Sequence, residues 1–243
     1  MMRTAFACAA AVAALLTAGA ASAQSTPEVA WNVGVVSDYV FRGYSQTLED
    51  PAIQGGVDYT NGPVYLGLWA SSIKWIGDFG GDADVEIDLY GGIKGDLGGG
   101  FGYDVGVLTY QYPSNKLSPS ANTTELYGAV SYGPGTLKYS HAVTNTFANA
   151  DSKNSYYLDL SASFDLGGGL MLVPHLGYQK IKGPFADVGS YTDYALTLSK
   201  DFSGLVVSAA VVGTDADKSF YSSPVNGKEL GKTGVVVGLK YNF

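Results

Sequence analysis

The segment GVVVGLKYNF, residues 234–243, sets an apolar series, Val235, Val237, Leu239, Tyr241 and Phe243, against Gly234, Val236, Gly238, Lys240 and Asn242. Successive side chains of a β-strand point to opposite faces, so this beat of two predicts a strand with one continuous apolar face. The same beat recurs upstream. Phe101, Tyr103, Val105 and Val107 alternate with Gly102, Asp104 and Gly106, and Leu158, Leu160, Ala162, Phe164 and Leu166 alternate with Asp159, Ser161, Ser163 and Asp165.

Working outward from these runs, about twelve such segments are predicted, at 29–42, 52–60, 63–72, 84–95, 101–112, 122–133, 135–145, 154–166, 169–181, 190–201, 204–214 and 232–243. Their connectors alternate too. Thr60 to Pro63, Leu97 to Gly100, Gly133 to Gly135, Leu166 to Gly169 and Asp201 to Gly204 are short and glycine-bearing, as tight hairpins require. Between them lie longer stretches rich in Ser, Asn, Asp, Lys and Pro, near 43–51, 73–83, 113–121, 146–153, 182–189 and 215–231. Short turns at one end and long loops at the other, with an even number of strands, is the layout of an antiparallel transmembrane β-barrel.

A soluble sandwich also alternates, but it buries its apolar face and shows its polar face to water. A membrane barrel inverts this. Its apolar face meets lipid, and Asp58, Glu86, Asp88, Asp104, Glu125, Lys138, Asp159, Asp165 and Lys240 become candidates to line the interior. Val105 is assigned outward and Gly106 inward on the same phase. Tyr39, Phe41, Tyr59, Tyr110, Tyr112, Tyr132, Tyr156, Tyr178, Tyr194, Tyr241 and Phe243 fall mostly toward strand ends, where a ring with a polar tip suits the lipid headgroup boundary.

The N-terminal MMRTAFACAAAVAALLTAGAASA carries one cation, Arg3, an apolar run and the small-residue pattern Ala21-Ser22-Ala23. It reads as a secretory signal peptide, residues 1–23, cleaved to leave a single barrel domain, residues 24–243. Cleavage removes Cys8, the only cysteine, and with it any thiol chemistry. The expected destination is the outer membrane of a Gram-negative bacterium, reached through the periplasm with the barrel-assembly machinery. Membrane lipid and lipopolysaccharide are the expected surroundings.

Composition narrows the function. The chain of 243 residues has 33 glycines and a net charge of −8, which becomes more negative once Arg3 leaves. That charge excludes a nucleic-acid backbone as partner, since phosphate contacts need a concentrated positive surface. Only His141 and His175 offer imidazole, and adjacent Ser140 faces away from His141, so no catalytic serine and histidine pair is indicated. Nor do the acids have the spacing of a calcium loop, and no cofactor fingerprint precedes a helix. No enzyme, cofactor or metal is expected. Arg42 is the only arginine after Arg3, and its five-donor fork is expected to hold Asp38 or Glu49, or to meet an anionic ligand.

The runs SDYVFRGYSQT (37–47), PAIQGGVDY (51–59), GLWASS (67–72), EIDLYGG (86–92), YDVGVLTYQYP (103–113) and TELYGAVSYG (124–133) resemble the proteobacterial TorF family, an outer-membrane barrel group formerly classed as conserved hypothetical and named as porins. The resemblance implies a barrel with pore function and transfers no catalytic residue. The leading expectation is passive diffusion of small hydrophilic solutes through a polar lumen. A non-conducting structural or surface-binding barrel is the alternative, followed by a lipid-modifying enzyme.

Overall fold

The computed structural model describes residues 26–243, and the expected signal peptide lies outside them. The described chain is almost entirely β: β1 (Glu28–Val36), β2 (Val40–Phe41), β3 (Tyr44–Ser45), β4 (Ala52–Asn61), β5 (Val64–Ser72), β6 (Val85–Gly98), β7 (Phe101–Gln111), β8 (Thr123–Tyr132), β9 (Gly135–Ala142), β10 (Tyr156–Ala162), β11 (Phe164–Gly167), β12 (Leu170–Lys180), β13 (Tyr191–Phe202), β14 (Leu205–Thr214) and β15 (Gly234–Asn242). Two short helical turns interrupt it, α1 (Trp75–Asp78) between β5 and β6 and a 3-10 turn (Gly183–Phe185) between β12 and β13.

All pairings are antiparallel, and they close on themselves. The first and last barrel strands meet, with Val33 opposite Tyr241 on β15 and opposite Gly55 on β4. On the far side β10 pairs with both β9 and β12, and β11 continues β10 along β12 after a break at Ser163. Counting β10 and β11 as one, twelve strands form a closed barrel, while β2 and β3 make a separate hairpin. Closure leaves no unpaired edge, the condition for a sheet in lipid.

The five short turns fall where the glycine pattern predicts. Gly62, Gly133 and Gly204 are among the left-handed residues that reverse the chain there, with φ of 60°, 56° and 104°. All long connectors lie at the opposite end.

One predicted segment is wrong in extent. The first strand was expected to run to residue 42, but it ends at Val36. Beyond Ser37 the chain turns into the barrel, where β2 and β3 form an inward hairpin reversed at Arg42 (φ 45°) and Gly43 (φ 86°). A side chain at Gly43 would strike Asp193, so the turn fits the inner wall only because position 43 has none. The hairpin is fixed at several points. Gln46 C=O accepts the Lys74 and Trp75 N–H groups, and Ser45 N–H donates to Leu230 C=O.

The apolar packing inside the barrel is gathered at the long-loop end. Val36, Tyr39, Ile73, Trp75, Ile76, Tyr110 and Tyr112 form a buried cluster with Phe41, Trp69 and Phe147 against it. Tyr39, Phe41, Tyr110 and Tyr112 therefore belong to this internal plug and not to a headgroup belt. Tyr110 and Tyr112 do lie at the end of β7, where local sequence does not tell whether a residue leans in or out, whereas Tyr39 and Phe41 lie beyond the end of β1 in the segment that turns inward. Tyr59, Tyr132, Tyr178, Tyr194, Tyr241 and Phe243 are exposed on the outside, as are Trp31 and Phe101.

Candidate functional site

Polarity inverts across the barrel wall from one residue to the next. Leu126, Leu137 and Leu160 are about half exposed on the outside, at 52%, 49% and 52%. Their neighbours Glu125 and Asp159 are buried inside, and Lys138 is half-buried, its ammonium 4.1 Å from the centre of the Tyr127 ring. Val105 is likewise exposed while Gly106 lies inward beneath Tyr127. The interior is thus the only place where ionisable strand side chains concentrate among the described residues, and it is the candidate site.

Arg42 lies toward its long-loop end, where Tyr110, Glu125 and Gln179 stand close to the ends of β7, β8 and β12. The inward hairpin carries the guanidinium to Glu125, which accepts Nη1–H and Nη2–H bonds at 2.9 and 2.7 Å. A further Nη1–H bond goes to Gln179 Oε1 at 2.8 Å, and Tyr110 Oη lies 3.3 Å from Nη2. Rings enclose the cation: its central carbon is 4.2 Å from the Tyr157 ring centre, 4.8 Å from Phe41 and 6.0 Å from Phe147. The partner expected for Arg42, Asp38 or Glu49, is not the one observed. Asp38 instead accepts hydrogen bonds from Ser45 (2.5 Å) and Thr47 (3.0 Å), and Glu49 pairs with Lys232 (2.7 Å) and Lys228 (3.0 Å). β2 runs inward from Asp38, and the hairpin reverses only at Arg42 and Gly43, so the guanidinium at its tip reaches Glu125 while both carboxylates stay near its base.

Other predicted interior residues are spread along the lumen. Glu86 accepts the Tyr39 hydroxyl at 2.7 Å, and Asp88 is buried beside it on β6, opposite Trp69 on β5 and Tyr110 on β7. Asp104 accepts Tyr65 Oη–H at 2.6 Å, and the Tyr65 and Tyr127 hydroxyls are hydrogen-bonded together. Asp58 accepts the Tyr90 hydroxyl at 2.6 Å. Lys240 is half-buried on β15, opposite Gly34 and Val206. Asp165 departs from expectation: it is exposed at the short-turn rim, where its carboxylate accepts Gly167 N–H at 2.8 Å beside a register shift. The turn claims that carboxylate before it can reach the interior wall.

A second network was not anticipated. His175 lies between two carboxylates, with Nε2 3.3 Å from Asp159 and Nδ1 3.6 Å from Asp193, and Tyr157 Oη sits 3.1 Å from Nε2 and 2.9 Å from Asp193. The parity of β12 and β13 contained the signal, since His175 and Asp193 both fall on inward positions. Their meeting depends on the register His175–Ala195 and Gly177–Asp193, which parity alone does not supply. His141 contacts Tyr139 and Asn154 at 3.0 and 3.2 Å, far from this network in character and outside the lumen.

On the wall formed by β14, β15, β1 and β4, small residues stand among Gln54, Asp58 and Lys240. Gly34, Gly56, Gly238, Ser208 and Ala210 face inward from β1, β4, β15 and β14. At the long-loop end a recess of about 310 Å³ lies between the hairpin and this wall, lined by Asp38, Gly43, Glu49, Val212, Lys232 and Val236.

Residues 20–243 match a family model described as "Bacterial protein of unknown function (Gcw_chp)". No match among curated proteins was found. Solved structures with similar folds include the "KdgM porin", at 10% identity over 90% of this chain and 99% of that one with a TM-score of 0.56. The "KdgM porin in complex with disordered oligogalacturonate" is similar at 10% identity, the same coverage and a TM-score of 0.55. The "COG4313 outer membrane channel from Pseudomonas putida F1" shares 13% identity over 94% and 96% of the two chains, with a TM-score of 0.50. The likeness is one of fold: a bacterial outer-membrane β-barrel of porin type.

Proposed function

The chain belongs to the Gcw_chp family, whose description assigns no function, and we propose that it is an outer-membrane porin for passive diffusion of small hydrophilic solutes. The observation that carries this reading is the inversion of polarity at Glu125 and Leu126, Lys138 and Leu137, and Asp159 and Leu160: an apolar exterior suited to lipid around an ionisable interior suited to water. The TorF-like motifs fit the same reading. The short turns then face the periplasm and the long loops the cell exterior. Membrane lipid and lipopolysaccharide surround the barrel after insertion by the assembly machinery. No catalytic step is assigned to it.

Inward acids outnumber inward bases, so the lumen attracts cations and repels anions. Oligogalacturonate, the acidic ligand of one KdgM structure, is poorly matched to such a wall. Neutral and cationic solutes suit it better.

The inward hairpin and its apolar cluster favour a second reading, a barrel whose lumen is closed at the outer end. Purified protein in planar bilayers separates the two. Reproducible conductance steps above a detergent-only control, with cation preference reduced by neutralising Asp58 and Asp104 together, are expected of a porin. Bilayers that stay sealed with correctly folded barrels would overturn the porin reading and favour the closed one.

A further inference from the structure

We propose that the pocket around Arg42 is a binding site for guanidinium-bearing cations, in which Arg42 is the protein's own tethered occupant, and that a solute carrying a guanidinium enters by exchanging with it. The proposal deepens the porin reading and rests on it for the idea of a permeating solute.

The pocket has the parts that recognise this group. Glu125, 1% exposed, offers both carboxylate oxygens to the two terminal nitrogens, the two-point geometry that a planar guanidinium matches and an ammonium does not. Gln179, 3% exposed, adds a third acceptor. The faces of Tyr157 and Phe41 supply the attraction of aromatic rings for a weakly hydrated cation. All of these except Phe41 belong to the barrel wall, not to the hairpin, so most of the pocket exists without Arg42.

The tether is held separately. Tyr39 to Glu86, Gln46 to the backbone of Lys74 and Trp75, and Ser45 to Leu230 fasten the hairpin without using the Arg42 side chain. Removing that side chain therefore empties the pocket and leaves its walls standing. Arg42 itself has a left-handed backbone, φ 45°, which an L-residue adopts only when its surroundings compel it.

The test uses the full barrel in detergent micelles, its fold checked by heat-modifiable migration. Methylguanidinium is titrated calorimetrically into wild type, Arg42→Ala and Arg42→Ala with Glu125→Gln, with urea as the uncharged planar control. Saturable one-to-one binding to Arg42→Ala is expected, at least about tenfold tighter than to wild type, lost with Glu125→Gln and absent for urea. Binding to Arg42→Ala no tighter than to wild type, or unaffected by Glu125→Gln, overturns the site. If Arg42→Ala does not fold, Arg42→Gly empties the same pocket while relieving the left-handed backbone, and the same criteria apply. In bilayers, methylguanidinium is expected to reduce the current through Arg42→Ala while urea does not. Sealed bilayers together with binding in micelles would remove the porin reading and leave the site; conduction without binding would do the reverse.

Discussion

Arg42 and Glu125, 83 positions apart in the chain, form a two-point ion pair inside the barrel with both side chains almost wholly buried. Two charges withdrawn from water stabilise the fold only while each has the other. Removing one partner leaves the second buried and unpaired, at a cost of about 3–5 kcal/mol, whereas removing both costs much less. Glu125→Ala is accordingly expected to lower the unfolding free energy in micelles by about that amount. Adding Arg42→Met to it should restore part of the loss. Additive losses in urea titrations of the single and double variants would contradict the pairing.

The facing of the strands is testable at two adjacent alanines on β14. Ala209 is exposed on the outside and Ala210 is turned inward. Ala209→Arg places a charge in lipid, at about 2–4 kcal/mol near the midplane, while Ala210→Arg places it on the inner wall between Thr197 and Val236. Folding into vesicles, followed by heat-modifiable migration, should be impaired for Ala209→Arg and nearly normal for Ala210→Arg. Equal yields would show the phase of β14 to be wrong.

Tyr90 lies directly over Gly67 on the neighbouring strand, and Tyr127 over Gly106, so inward rings rest flat in the gaps that glycines leave. A Cβ at position 67 would fall on the Tyr90 ring, which must then swing out and lose its hydrogen bond to Asp58. Gly67→Ala should cost about 1–3 kcal/mol as overpacking. Gly234→Ala, where a Cβ meets open space, should cost far less. Thermal unfolding of the two variants compares them directly.

Glu49 ties the first long loop to the last through Lys232 and Lys228. Burial alone would raise its carboxyl, but the two lysines outweigh it and hold the group below its ordinary value of 4.5. A lowered value means stabilisation that is complete above the ordinary value and lost as pH falls through the lowered one. Limited proteolysis within 215–231 should therefore accelerate in strong acid, with an acid-active protease as probe, and Glu49→Gln should show the faster cutting already at neutral pH. Cutting of Glu49→Gln at the wild-type rate would dismiss the clamp.

Strand number, turn positions and most facings were legible because they are local. Alternation at Val235 to Phe243 and glycine at the tight turns are properties of neighbouring residues, and pairing across short turns follows from them. Asp165 escaped because a turn competes for its carboxylate within two residues. Tyr110 and Tyr112 escaped because a ring near a strand end suits a headgroup and an internal plug equally well, and Tyr39 and Phe41 because the first strand stops at Val36 and the chain turns inward.

The residues alone determined a closed antiparallel barrel with an apolar exterior and an acidic interior, since a period of two assigns each side chain to a face. Only the tertiary structure decided that Arg42 meets Glu125, that His175 meets Asp159 and Asp193, and that the first long loop folds inward. Those contacts depend on register accumulated around twelve strands and on how far a loop reaches into the lumen. Neither quantity is carried by a pattern that repeats every second residue.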